Sequence, residues 1–407
     1  SPLWGEVMPT TFRICDNVVG SPHPDHSGCR HQISGMIMTD LSADFSQALG
    51  NAVRDTLAGL LAELSAFGPL QGTRLLRLHT PLGPDVLLAE RAELCESIGP
   101  GTFAWLGADK AISSATHSWP TGQGLTLLAL STCADLRASS LLGRPVLLEV
   151  LTAQGLESCR PIHGHVTRFE QLGADGGYAR YLLHVEPWLA FLGHGQQSRV
   201  FKNQSVIDIT AAIFSIHADA GLSLQWRQAI QDLSVYPPRS LCIQFNESDL
   251  AFLQRLWAEE GLIMWFEHAA ALTSERLGQH TLVLADHPDA FQTNQQASIR
   301  FTQSGSTLSE DSITRWHGQR RMGVSVLHTS SYDYRQVNNT GASAQADLAH
   351  GQEIALVHRD QPGAYAYQDS EQANRLAAVQ MAALSSTRKR FWGQGTVRDR
   401  KSTRLNS

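Results

Sequence analysis

The chain has 407 residues, 42% of them hydrophobic and 17% charged, and a formal net charge of −6. That length predicts two or three domains, and the net acidity excludes a general nucleic-acid binder, which needs a basic surface to displace phosphate counterions. Six scattered cysteines (Cys15, Cys29, Cys95, Cys133, Cys159 and Cys242) form no C-x-x-C pair, so no zinc ribbon or redox motif is indicated, and no apolar run reaches the ~18 residues of a spanning helix.

Residues 1–38 mix Pro, His, Gly and Cys with a period of neither strand nor helix. They are read as a leader outside the folded protein, untranslated if the start is Met36 or Met38, and the first thirty residues lack the order of a signal peptide. His23-Pro24-Asp25-His26 offers metal-ligand side chains but no third ligand at a workable spacing, so it is read as a solvated loop. Residues 39–70 follow as an amphipathic helical extension. Leu49, Val53, Leu57, Leu60, Leu61 and Leu64 recur at helical spacing, and Gly68-Pro69 stops the helix.

Residues 71–195 change to strand character. Strands are predicted over Thr73–Leu78, Val86–Ile98, Leu125–Ser131 and Pro145–Leu151, separated by glycine-bearing turns. Ile162–Glu170 and Tyr178–Glu186 flank a turn-rich segment at 173–177 and read as a hairpin. In its second arm Tyr181, Leu183 and Val185 alternate with Arg180, His184 and Glu186, one buried face and one wetter one, before Pro187 ends the ladder.

Residues 196–300 read as α/β. Ser205-Val206-Ile207-Asp208 has the form of a helix start whose side chains satisfy free backbone N–H groups, and Val206, Ile209, Ile213 and Ile216 continue as a stripe. A second helix is predicted from about Glu247 to Glu260, with Gly261 as its stop, then a buried strand pair over Leu262–Phe266 and His280–Ala285. Strand signal runs on through Ile313–Tyr334, and a last helix covers Glu371 to about Arg388. The final nine residues, Asp399–Ser407, read DRKSTRLNS. That string is the codon-by-codon translation of a common sequencing adapter, and it is set aside from the fold.

The order of these segments resembles one family. Ser198–Ile209 is similar to the "sRiFq…sv.dIi" block of VgrG proteins, the spike proteins of type VI secretion systems. His184–Leu189 looks like the family's strand ending in Pro-Trp, Arg239–Gly261 like its "ESDl.Fl.RLl.eeGi" block, and His280–Asp286 like its "HtlvlaD". Ile313–Trp316, Ser331–Tyr334 and Phe391–Arg398 match later strands in the same order. The resemblance implies an α+β, mainly β fold of the phage baseplate-hub type: two barrel-like antiparallel domains with α/β elaborations. Residues 71–195 would be the first barrel-like domain, 196–300 the α/β region and 301–398 a second barrel region, incomplete because the family's chain runs on past Arg398.

The implied role is a structural hub subunit, not an enzyme. It would form a homotrimer, dock on the hexameric secretion tube, and carry the spike-tip protein and effectors through its C-terminal part. It would neither bind nucleic acid nor insert into a membrane through this segment. Assembly would take place in the bacterial cytoplasm, with export by the type VI apparatus and no signal peptide. The hub of a phage or phage-tail-like contractile particle shares the fold and role; an enzyme-bearing spike is the rival from another class.

The residues that tempt a chemical reading are few. Glu247 and Asp249, with Glu259 and Glu260 a helix away, have carboxylates for acid/base work, but acidic residues at a helix start are favoured by the dipole without any catalysis. His163 and His165 share a strand face and could hold two corners of a metal site, although no third ligand lies close in sequence. No nucleophile elbow or phosphate-binding glycine loop is present. The sequence therefore assigns no catalytic, metal or cofactor residue, and no cofactor.

Overall fold

A computed structural model of the protein describes residues 10–15, 71, 74–99, 119–152, 159–175, 177–271, 277–292, 299–302, 312–334, 337–346, 354–386 and 388–395. The helix expected over Leu41–Phe67, the His23–His26 segment and the last nine residues lie outside them.

The first unit is one curled antiparallel sheet of seven strands: β1 (Thr10–Cys15), β2 (Leu76–His79), β3 (Leu88–Glu96), β4 (Gln123–Ser131), β5 (Pro145–Leu151), β6 (Cys159–Asp175) and β7 (Tyr178–Glu186), in the order β1-β3-β4-β7-β6-β5-β2. Strand β1 falls inside the segment in which the sequence shows no period, and it pairs along β3 from Thr10 opposite Glu96 to Cys15 opposite Arg91. Alternation places Leu76, Leu94, Leu127, Leu148, Tyr181 and Leu183 in a common core, as expected when one sheet face is buried. The wetter face expected of the second hairpin arm is only partly wet. His184 is buried, because the Trp119 ring lies 5.2 Å from its own.

A 3-10 turn over Trp188–Gly193 leads into the α/β unit. This contains β8 (Gln197–Phe201), α1 (Val206–Asp219), β9 (Trp226–Ala229), β10 (Cys242–Glu247), α2 (Asp249–Glu260), β11 (Ile263–Ala270) and β12 (Gly278–Ala285). The expected cap of α1 is complete: Ser205 Oγ accepts from the Asp208 backbone N–H, and Asp208 Oδ2 accepts from that of Ser205. Ile216, placed in the buried stripe by spacing, is 45% exposed, because the core on which α1 packs ends at Phe214.

Glu247 is the last residue of β10, not a member of the second helix; Ser248 caps α2 by accepting from Ala251 N–H. Gly261 ends α2 at φ +76°, and a Cβ there would meet Val379 of the last helix at 2.6 Å. Strands β11 and β12 pair antiparallel, with β9 added in parallel.

The last unit holds β13 (Arg300–Phe301), β14 (Ser312–Arg320), β15 (Val326–Asp333), β16 (Asn338–Gln345), β17 (Val357–Asp360), α3 (Ser370–Ser386) and β18 (Lys389–Gly395). Its described residues make two three-stranded sheets, β13-β14-β18 and β16-β15-β17. Each contains one parallel pair, β13 with β14 and β15 with β17. Helix α3 lays Ala377 and Met381 over Leu327 of β15.

Candidate functional site

The four carboxylates that tempt an acid/base reading are each held by cations from other elements. Asp249, nearly buried at the start of α2, accepts from Arg199 Nη1 at 2.5 Å, Gln244 Nε2 at 2.7 Å and His217 at 2.8 Å. Burial pushes its carboxyl up, but these hydrogen bonds outweigh that and hold it below the usual range. Glu260, also buried, joins Arg239 at 2.7 Å to Arg375 of α3. Glu259 shares Arg239 and Arg255, and Glu247 takes Arg255 at 2.6 Å. They tie β8, β10, α1, α2 and α3 together, and the structure does not gather them around one cleft.

The histidines behave differently. His163 and His165 of β6 meet His268 and His280 of β11–β12, which stand directly opposite each other in the hairpin register. The His163 and His280 rings are 5.0 Å apart, His165 and His280 5.7 Å, and His268 and His280 5.9 Å. His163 backbone N–H donates to His268 Nδ1 at 3.1 Å, Trp188 backbone N–H donates to His280 Nε2 at 2.9 Å, and the His163 and His280 Nδ1 atoms are 2.7 Å apart.

These contacts settle the tautomers. His280 accepts through Nε2, so its proton is on Nδ1 and is donated to Nδ1 of His163, whose own proton is then on Nε2. His268 accepts through Nδ1, so its Nε2–H points at the Gln123 amide 2.6 Å away, which assigns the amide oxygen to that contact. Burial lowers all four: His163 and His165 to about 4, His268 to about 3, and His280 well below the ordinary value.

These hydrogen bonds occupy the nitrogens that a metal at His163 and His165 would share with the neighbouring rings. Three rings have spent their lone pairs on N–H donors, whereas the buried Nδ1 of His165 has no hydrogen-bond partner. Among the described residues no group of three or more His, Cys, Asp or Glu side chains is arranged to hold a metal.

Two surfaces complete the inventory. On the β8–β10 ribbon Ile243 pairs with Val200, and these two with Phe245 leave an apolar face open, Phe245 being 79% exposed. On the β14–β18 ribbon Trp316 stacks on Phe391 at 5.6 Å and His317 on Trp392 at 4.9 Å. The Trp316 ring covers Gly393, where a Cβ would meet it at 2.9 Å, so that glycine is required by close approach. Arg315, Arg320 and Arg390 rim this second ribbon.

The phage tail baseplate hub (GPD) family model matches residues 124–405, more than half of the chain. The chain belongs to that family. Among curated relatives of this baseplate hub chain, a type VI secretion system spike protein of Pseudomonas aeruginosa, VgrG1b, is 28% identical over 81% of this chain and 39% of its own length. VgrG1a of the same organism is 30% identical over 76% of this chain and 44% of its own. The hub chain thus spans less than half the length of these relatives. Of solved structures, an E. coli component of the type VI secretion system, described as similar to the T4 tail proteins gp27 and gp5, is 22% identical over 49% of each chain, with a TM-score of 0.39.

Sequence reasoning found half of this hub's histidine cluster. The other half was recoverable once the β11–β12 register was drawn, since an antiparallel pair puts residues 268 and 280 on one face. That β6 meets that hairpin is a tertiary fact that no spacing in the chain carries.

Proposed function

We propose that the chain is a structural hub subunit of a type VI secretion spike. It forms a homotrimer, docks on the hexameric secretion tube, and carries the spike tip and effectors through the part of the protein beyond this segment. The match to the baseplate hub family over residues 124–405 carries this reading, and the relatives named as type VI spike proteins support secretion over a phage particle. A structural role for this segment is supported by the commitment of Asp249 and Glu260 to arginines and of His163, His268 and His280 to N–H donors. No helix among the described residues is long and apolar enough to cross a membrane; export by the secretion apparatus itself, without a signal peptide, is the route this reading implies.

A threefold hub needs faces that meet another subunit, and the open apolar ribbon of Val200, Ile243 and Phe245 suits one. Mass measurement in solution on the protein encoded by the full genomic locus tests the reading. A trimer is expected, and Phe245→Asp should lower the trimer fraction while leaving the circular dichroism spectrum unchanged. A monomeric full-length protein would overturn it.

A further inference from the structure

The histidine cluster sits on the seam between the first sheet and the α/β unit. The apolar core of the first unit ends at Val185 and that of the second begins at Trp188. Between them, His163 N–H to His268, His280 to His163, and His268 to Gln123 are hydrogen bonds that cross the seam. Also crossing are Gly99 N–H to the Met264 carbonyl at 2.8 Å and Gln254 to the Pro120 carbonyl at 2.5 Å.

We infer that this four-histidine seam is an acid-operated latch, closed when all four rings are neutral and released by their protonation while the two flanking cores stay folded. The hydrogen-bond circuit carries the inference. A proton added to Nε2 of His280 would face the Trp188 N–H, one added to Nδ1 of His163 would face the His280 N–H, and one added to Nδ1 of His268 would face the His163 N–H. Each turns an acceptor into a second donor pointed at a donor, in a buried site where an unmade hydrogen bond is costly. His165 is the exception: its unpartnered Nδ1 takes a proton without breaking a bond, but the new charge then lies within 6 Å of the His163 and His280 ring centres.

Among the described residues, most of the charged groups bordering the seam are paired with one another. On β6, Arg160 is held by Glu96 of β3 at 2.5 Å. On β7, Glu186 stands opposite His165 and accepts from the neutral Thr167 hydroxyl at 2.7 Å, so it remains an anion that tempers a charge on His165, and His184 turns against Trp119. On β11, Glu267 is paired with Arg227 of β9 at 2.6 Å. The 3-10 turn contributes Trp188 and Phe191, which do not titrate, and β4 contributes the Gln123 amide.

The sign follows from linkage. The rings are held below their ordinary value of 6.5 in the closed seam, two of them to about 4, and return to it when the seam opens. The seam is therefore at full strength above pH 6.5 and weakens as pH falls from there toward 4, by up to about tenfold per pH unit for each ring freed.

Hydrogen exchange on the full chain, corrected for intrinsic rates, tests this by comparing pH 7.5 with pH 4.5. Protection of the His163 and Trp188 amides should fall at least about a hundredfold, which corresponds to one ring titrating across that window. Amides of Leu127 and Leu183 in the first core and Ile213 in the second should fall less than about tenfold. A His268→Asn, His280→Gln double variant keeps both acceptors and removes two titrations, so its seam should lose less protection across the same window. Should that variant not fold, the wild-type profile decides alone. Seam protection that is flat with pH, or that collapses together with both cores, would overturn the latch.

Discussion

The first sheet and the last unit are both built mainly of strands, yet they are held together by different means. Between Leu76 and Val185 nineteen buried apolar residues among those described form one continuous cluster. Among the described residues of the last unit the buried cluster is Leu327, Ala377 and Met381, and large side chains such as Trp316, Met322 and Tyr334 are exposed. Apolar burial is the main favourable term in folding, so the first sheet has the means to fold alone. The last unit leans on its neighbour: Arg375 of α3 bonds Glu260 and lies 5.1 Å over the Tyr236 ring, and Val379 packs where Gly261 has no side chain. Self-sufficiency here follows the size of the buried cluster, not the strand content.

One substitution made in both regions should separate them most sharply. Leu127→Ala and Leu327→Ala each truncate a fully buried leucine, at an expected local cost of about 2–5 kcal/mol. Leu127→Ala should lower the main unfolding transition, whereas Leu327→Ala should lower only an early one reported by Trp316 and Trp392 fluorescence. If both variants shift a single transition equally, the two regions fold as one and the contrast fails.

Glu260→Ala is expected to cost about 3 kcal/mol, because it leaves the Arg375 guanidinium without its carboxylate at a half-buried site and Arg239 with Glu259 alone. Denaturant titration should show the loss in the last unit first, since Arg375 there loses its tie to α2. A loss shared evenly with the first sheet would mean that Glu260 is not the tether.

Ser205→Ala sets the small end of the scale at about 1 kcal/mol, the usual worth of one helix cap. It should move the α/β unit alone. A cost above about 3 kcal/mol would show that the capping box supports more than its own helix.

Much of this was legible in the chain. The strand β5, the alternation in β7, the capping box of α1 and the glycine stop of α2 follow from local geometry, because side-chain period, free N–H groups and a positive φ are properties of neighbouring residues. The succession of segments was enough to indicate the baseplate hub resemblance. Tertiary structure alone decided what lies between distant segments. It added β1 to the edge of the first sheet from a stretch with no period, and it placed β9 and β17 in parallel pairs that local pattern cannot signal. It buried His184 beneath Trp119 and gave Asp249 and Glu260 arginines from up to 115 residues away. It also brought His163 to His280, 117 residues on, in surroundings whose burial favours the neutral ring. A histidine's charge depends on what surrounds it, and here the chain supplies those surroundings from segments far apart in sequence.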